Sequence, residues 1–194
     1  MCGITGYLDL DNGVDYKTLK KMNDVIKHRG PDDEGFTIFN QSTTFLNGSD
    51  SVTSFVDNIN DENLPETFLG FGHRRLSILD ISENGHQPMT YFDSEMYITF
   101  NGEIYNYIEI RKDLIELGYK FLTECDTEVL LASYIEWGEE CVSKFNGMWA
   151  FCIYNKKENT LFCSRDRLGQ KPLILLQHVM KTMLKTMKPI SLNW

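Results

Sequence analysis

The stretch Cys2-Gly-Ile-Thr-Gly-Tyr-Leu-Asp-Leu10 opens the chain after Met1 and guides the interpretation of the rest. Its composition predicts a β-strand with Cys2 at its start, closed by a turn at Asn12-Gly13. An initiator methionine before a small residue is usually removed, which would leave a thiol and a free α-amine on Cys2. The ordinary pKa of an α-amine is about 7.7–8.0, so this amine can take the thiol proton and return it to a leaving amine. The alternative is a buried small residue near a chain end.

The patterns that follow favour an α+β fold. Strands occur in runs, then helices, then strands, which predicts antiparallel sheets covered by helices rather than βαβ units. We expect residues 47–66, which are rich in Asn, Asp, Glu, Ser and Pro, to form an exposed loop with little of the core. The predicted elements are a helix from Asp15 to His28, two short strands over 36–47, strands over Phe68–Leu79 and Met96–Phe100, helices over Tyr105–Leu117 and Thr127–Trp137, and a hairpin of Met148–Tyr154 with Thr160–Cys163.

Composition excludes several classes of function. The 194 residues contain 28 acidic against 19 basic side chains, a formal charge of -9, which argues against a nucleic-acid partner. No window approaches the ~18 apolar residues of a membrane span, and no secretory signal precedes the first strand, so we expect a cytoplasmic protein without a membrane partner. The five cysteines form no CxxC pair, which indicates neither a disulfide framework nor a metal site.

Two adjacent arginines interrupt an otherwise apolar predicted strand, Phe68-Leu-Gly-Phe-Gly-His-Arg-Arg-Leu-Ser-Ile78. The two-residue period of a strand sends Arg74 to one face and Arg75 to the other, so one of them should point inward. A buried guanidinium needs a partner, which could be a bound carboxylate held bidentately or a structural acid of this chain.

Two further sites carry weak local signals. Asn101-Gly102 is one of five Asn-Gly pairs, so it could be a turn, or its side-chain amide and the Gly102 N–H could form an oxyanion hole. Asp126 precedes the helical segment from Thr127, so it could be an N-cap or could accept from a substrate ammonium.

Together these segments resemble the N-terminal glutaminase domain of asparagine synthetases, a branch of the class II glutamine amidotransferases. The resemblance covers roughly the first 172 residues. The segments that carry it, in the family's order, are Met1-Cys-Gly-Ile-Thr-Gly6, His28-Arg-Gly-Pro-Asp32, His73-Arg-Arg-Leu-Ser-Ile-Leu-Asp80, Asn101-Gly-Glu-Ile-Tyr-Asn106, Asp126-Thr-Glu128 and Arg165-Asp-Arg-Leu-Gly-Gln-Lys-Pro172.

The resemblance implies an N-terminal-nucleophile hydrolase fold, a four-layer αββα sandwich of two antiparallel sheets, here incomplete at the C-terminus. It also implies that Cys2 attacks the side-chain amide of glutamine and forms a glutamyl thioester, with no cofactor. The implied partners of the substrate are Asn101 and Gly102 for the oxyanion, Arg75 for the α-carboxylate, Glu103 and Asp126 for the α-ammonium, and backbone groups of Leu76, Ser77, Ile78 and Leu79 as pocket walls.

The chain departs from that family after Pro172. Residues 173–194 hold three lysines and no acid, so we expect a divided chain, with the amidotransferase domain in 1–172 and a divergent basic, Met-rich tail in 173–194. The tail could be a frame-shift product or an amphipathic helix with Leu176, Val179, Met180, Met183, Leu184 and Met187 on one stripe.

The family's ATP-dependent synthetase domain has no counterpart here, so we expect any asparagine biosynthesis to need a synthetase partner in trans, and a homodimer stays open. Two other functions remain possible on sequence alone. The chain could be a catalytically silent binding or assembly module, or an N-terminal-nucleophile amidase for another amide.

Overall fold

The computed structural model describes residues 1–53, 55, 57–77, 83–92, 94–176 and 191–193. These residues contain nine β-strands and three α-helices. In chain order they are β1 (Gly3–Leu8), α1 (Tyr16–Val25), β2 (Asp33–Phe39), β3 (Thr43–Leu46), β4 (Leu69–Arg75), β5 (Met89–Thr90), β6 (Met96–Ile104), α2 (Tyr107–Glu116), α3 (Asp126–Trp137), β7 (Gly147–Asn155), β8 (Thr160–Arg165) and β9 (Ser191–Asn193).

The strands form two sheets. The first has the order β1-β4-β2-β3 and is antiparallel throughout. The second has the order β5-β6-β7-β8-β9 and is antiparallel except for β9, which pairs parallel with β8. Hydrogen bonds from His73 Nε2 to Phe100 O (3.0 Å) and from Thr99 Oγ1 to Gly72 O (3.3 Å) join the facing sides of the two sheets.

Three apolar clusters separate four layers, because alternate residues of each strand face opposite sides. Helix α1 covers the outer face of the first sheet, where Leu19 is fully buried, a contribution of about 1.5–3 kcal/mol to folding. Between the sheets lie Phe39, Leu69, Phe71, Tyr97, Tyr154, Leu161 and Cys163. Helices α2 and α3 cover the outer face of the second sheet through Ile110, Leu114, Val129, Leu130 and Leu131. The α+β sandwich of αββα type is therefore confirmed.

The helix boundaries follow local signals. The Asp15 side chain accepts the Lys17 backbone N–H and caps α1. Gly118 follows α2 with φ of 97°, a left-handed conformation that costs glycine little. The predicted segments for α1, α2 and α3 differ from the observed helices only by residues at their ends.

One local interpretation is wrong. The Asn101-Gly102 pair forms no turn, because both residues lie inside β6 and pair with Ala150 and Trp149 of β7. The described part of the 47–66 segment is mostly exposed or half-buried loop, and Ile59 is its buried core side chain, at 3% exposure beneath α1.

Some predicted features lie outside the residues that the structure describes, and others stay predictions. Ile78, Leu79 and nearly all of the proposed tail helix lie outside the described residues. The domain boundary after Pro172 and the incompleteness of the fold stay predictions. Among the described helices, none has the length and hydropathy needed to cross a membrane. The described part of the chain also brings no three His, Cys, Asp or Glu residues into a metal-binding cluster.

Candidate active site

A cavity of about 120 Å³ lies where the chain start, β4, β6 and α3 meet. Seven of the expected site residues line this cavity. They are Cys2, Arg75, Leu76, Asn101, Gly102, Glu103 and Asp126. Ser77 is not among its lining residues, and its backbone N–H donates to Asp32 Oδ2 at 2.9 Å instead. A larger, open depression of about 670 Å³ beside Asn40 and Phe68 contains no nucleophilic thiol or basic side chain.

The thiol of Cys2 is held against the end of β4. Its Sγ accepts the Leu76 backbone N–H at 3.4 Å and lies 3.8 Å from Leu76 O. Burial raises the pKa of this thiol, while the Leu76 hydrogen bond, the terminal amine and Arg75 act to lower it. Sulfur is therefore positioned at the cavity, and the positive charges around it oppose the cost of ionising a buried thiol.

One edge of β6 presents backbone donors to the cavity. Gln87 Oε1 accepts the Phe100 N–H at 2.8 Å, and Asp126 Oδ2 accepts the Ile104 N–H at 2.9 Å. Since successive N–H groups of a strand point to opposite edges, the Gly102 N–H points to the same edge, between those two acceptors. Asn101 lies beside it at 2% exposure. Asn101 and Gly102 thus border the cavity that Cys2 also lines, which is where an oxyanion hole would need its donors.

Residue 102 has to be glycine for a packing reason. A Cβ there would lie 2.3 Å from Met148 O and 2.5 Å from a ring carbon of Phe100. The strand pair β6–β7 therefore leaves no room for a side chain, and the Gly102 backbone stays open to the cavity.

The two arginines of β4 have separate roles. Arg74 is fully buried beneath α1, where its guanidinium pairs with Asp24 (2.6 Å), Glu34 (2.7 Å) and Asp50 (2.7 Å). Arg75 faces the other way and lines the cavity at 6% exposure. The opposite faces were predicted from the strand period, and Asp24, Glu34 and Asp50 are the acids that pair with Arg74.

Asp126 is the first residue of α3, and the N-cap position belongs to Cys125. The N-cap interpretation of Asp126 is therefore wrong, and its carboxylate accepts the Ile104 N–H of β6. Burial, and secondly the neighbouring Glu103, raises the pKa of Asp126 to about 6, against the lowering effect of the Ile104 hydrogen bond. A buried carboxylate of this kind gains from a cationic ligand more than an exposed one does.

Three residues at the site were given no role by the sequence. Gln87 spans the cavity wall, since its Nε2 donates to Thr127 Oγ1 at 3.3 Å while its Oε1 holds Phe100. Arg29 Nε donates to Cys2 O at 3.1 Å. Lys171 lines the cavity at 3% exposure. The motifs around Arg29 and Lys171 were visible in the sequence, but only tertiary contacts place them beside Cys2.

Comparison with known proteins places this arrangement in a family. Residues 60–188 match the family model described as "Glutamine amidotransferase domain". The chain belongs to the glutamine amidotransferase domain family. It is similar to asparagine synthetase (glutamine-hydrolyzing) 1 of Bacillus subtilis, with 44% identity over 177 residues, 89% of this chain and 24% of the relative. It is also similar to asparagine synthetase (glutamine-hydrolyzing) 3 of the same organism, with 40% identity over 176 residues, again 89% of this chain and 24% of the relative.

This glutamine amidotransferase domain thus spans about a quarter of the length of those relatives. A solved structure shares its fold: the glutamine phosphoribosylpyrophosphate amidotransferase of B. subtilis, complexed with ADP and GMP, matches with a TM-score of 0.62 and 20% identity. That match covers 87% of this chain and 37% of the other. The N-terminal-nucleophile type of sandwich predicted from the sequence is confirmed by this likeness.

Proposed function

We propose that this domain hydrolyses the side-chain amide of glutamine to glutamate and ammonia, as the ammonia-supplying half of an asparagine synthetase-like system. The observation that carries the proposal is the meeting of Cys2, the Gly102 edge of β6, Arg75 and Asp126 around one cavity. Family membership supports the reaction class, and the asparagine synthetase relatives support the branch.

The proposed reaction begins after removal of Met1, which is 57% exposed. The Cys2 α-amine takes the thiol proton, and the sulfur attacks the amide carbon of glutamine. The proton then passes to the leaving nitrogen, so ammonia departs and a glutamyl thioester remains. Water attacks the thioester, releases glutamate and restores the thiol. Asn101 and the Gly102 N–H stabilise the oxyanion of both steps, at about 3–4 kcal/mol of barrier for each donor.

The two ends of the substrate match the two charged walls of the cavity. Arg75 binds the α-carboxylate, and Glu103 with Asp126 receives the α-ammonium. Leu76 supplies a wall through its backbone, which already contacts the Cys2 sulfur. Another amide lacking this charged pair would leave Arg75 and Asp126 without ligands, which disfavours a general amidase.

A synthetase partner in trans, a homodimer and a cytoplasmic location belong to the same proposal. Glutamate and ammonia release on the isolated chain does not depend on them, so the hydrolysis can be tested first.

The test is a glutamate-release assay on the purified chain, with intact-mass measurement of the amino terminus. We expect activity only in chains that have lost Met1, and we expect Cys2→Ala to lower kcat by at least about 10³-fold while glutamine binding persists. Cys152→Ala, which removes a thiol from the layer between the sheets, is the control and should keep activity. Full activity in Cys2→Ala would reject the mechanism. An inactive, correctly trimmed chain that still binds glutamine would favour the silent binding module.

A further inference from the structure

We propose that Lys171 is a positioning residue for Cys2: its ammonium, facing the cavity, favours the thiolate form of the nucleophile. This inference rests on the proposed hydrolysis only for its kinetic consequence, because the state of the thiol can be measured without glutamine.

Lys171 is fixed in place by a turn that Asp166 organises. The Asp166 carboxylate accepts backbone N–H groups from Leu168 (3.2 Å), Gln170 (2.8 Å) and Lys171 (2.9 Å). It also accepts the Trp149 N–H of β7 at 3.2 Å, which ties the turn to the second sheet. Four hydrogen bonds to one carboxylate leave the Lys171 backbone little freedom, so its side chain reaches the cavity from a rigid support.

The surroundings of the Lys171 side chain are unusual for a buried ammonium. The residue is 3% exposed, and within the described residues its Nζ has one hydrogen bond, to Met1 Sδ at 3.0 Å. A thioether is a weak acceptor, and no carboxylate of the described chain lies within ion-pair distance of Nζ. Buried lysines are normally paired, because an uncompensated charge is costly. Removal of Met1 takes away even the thioether and leaves the ammonium facing the cavity.

The charges around Cys2 indicate what the ammonium does there. Burial, and secondly the Arg29 guanidinium, lowers the pKa of Lys171, while Cys2, Glu103 and Asp166 act to raise it. Lys171 and Cys2 line the same cavity, and the Lys171 Nζ contacts Met1, the residue next to Cys2. A positive charge near a thiol favours its ionised form. The charged groups that face Cys2 are the terminal amine, Arg29 before β2, Arg75 at the end of β4, Glu103 in β6, Asp126 in α3 and Lys171 after β8.

Alkylation of Cys2 by iodoacetamide, followed by mass mapping of the labelled peptide, tests the inference on the chain without Met1. The rate below the thiol pKa follows the thiolate fraction. We expect Lys171→Gln and Lys171→Met to slow alkylation at pH 7 about 3- to 10-fold, and Lys171→Arg to keep the wild-type rate. The neutral variants should approach the wild-type rate as pH rises, because the thiol then ionises without help.

Lys157→Gln is the matched control, since it removes an equal charge from the exposed turn at the far end of β7. It should leave the alkylation profile unchanged. Unchanged profiles in both neutral Lys171 variants, each with a wild-type circular dichroism spectrum, would overturn the inference. In the glutamate-release assay the acidic limb of kcat/KM should move to higher pH in the same variants. A shifted alkylation profile with no glutamate release from the wild type would reject the proposed function and leave the role of Lys171 standing.

Discussion

Arg74 and Arg75 are neighbours in β4, yet they belong to two different kinds of charged cluster. Beneath α1, Arg74 is surrounded by three carboxylates at 2.6–2.7 Å, and Glu34 among them is fully buried. On the opposite face, Arg75 borders a cavity together with Cys2 and Asp126. One residue of offset therefore separates a guanidinium that ties three carboxylates together beneath α1 from one that borders the cavity of the candidate site.

The carboxylates of the two clusters differ in the same way. Lys27 and Arg74 hold the pKa of Asp50 below its ordinary value. Burial raises the pKa of Asp126 to about 6. Asp50 lies beside cationic side chains that stabilise its ionised form, whereas burial makes the ionisation of Asp126 unfavourable. A cationic ligand would offset that cost, so the comparison separates charge that stabilises the fold from charge that we propose for substrate binding.

The largest expected effect comes from breaking the first cluster. Arg74→Met should lower the free energy of unfolding by about 3–5 kcal/mol, because it leaves Glu34 buried without its main counter-charge. Urea denaturation followed by circular dichroism measures it. A loss below about 1 kcal/mol would contradict the structural role. Protein that remains folded should bind glutamine as the wild type does.

Arg75→Met should show the opposite pattern. Loss of a charged contact to the α-carboxylate should raise KM for glutamine about 10- to 100-fold, with a smaller fall in kcat and a smaller loss of stability than in Arg74→Met. Steady-state kinetics and the same denaturation experiment give both numbers. An unchanged KM would transfer the carboxylate contact to another residue and remove the contrast between the two arginines.

Asp126→Asn should give the smallest change in stability of the three variants. Its specific signature is that this change depends on pH. A carboxyl whose folded pKa is raised contributes stability that is present below its unfolded pKa and is lost as pH rises through about 6. The stability of the Asn variant relative to wild type should therefore increase by about 1–2 kcal/mol between pH 5 and pH 8. Thermal melts across this range measure it.

The same titration should appear in substrate binding. Protonation of Asp126 removes the charge that we propose for the α-ammonium, so the wild-type KM for glutamine should rise as pH falls below about 6. In Asp126→Asn the KM should be higher at neutral pH and nearly independent of pH over this range. A wild-type KM that stays flat from pH 7 to pH 5 would place the ammonium contact elsewhere.

Much of the fold could be predicted because its signals are local. The apolar run Met148–Tyr154 and the glycines that follow the helical segments ending at Leu117 and Trp137 can be recognised from neighbouring residues alone. The failures came where tertiary contacts override such signals. Asn101-Gly102 has the composition of a turn, yet pairing with β7 keeps it extended. The Asp50 N–H is held by the buried Glu34 side chain at 2.8 Å, a contact that no local pattern in 47–66 reveals.

The site residues show the same contrast between local signals and tertiary contacts. The two-residue period of a strand was enough to place Arg74 and Arg75 on opposite faces of β4. The position of Cys2 just before β1 followed from the prediction of the first strand. The contribution of Lys171 could not be predicted, because its place depends on four hydrogen bonds to Asp166 and on the approach of the chain start to the end of β8. The motifs therefore identified the segments that contain site residues, but only the packing of the two sheets showed which side chains share a cavity.

Gln87 has a consequence for how such a domain can change over evolutionary time. Its amide joins the strand carrying Gly102 to the helix carrying Asp126, so the two form one mechanical unit. A substitution that moves the start of α3 strains the hydrogen bonds through which Gln87 holds that strand edge. Substitutions in the first turn of α3 are therefore expected to change glutamine binding and turnover together in the proposed reaction.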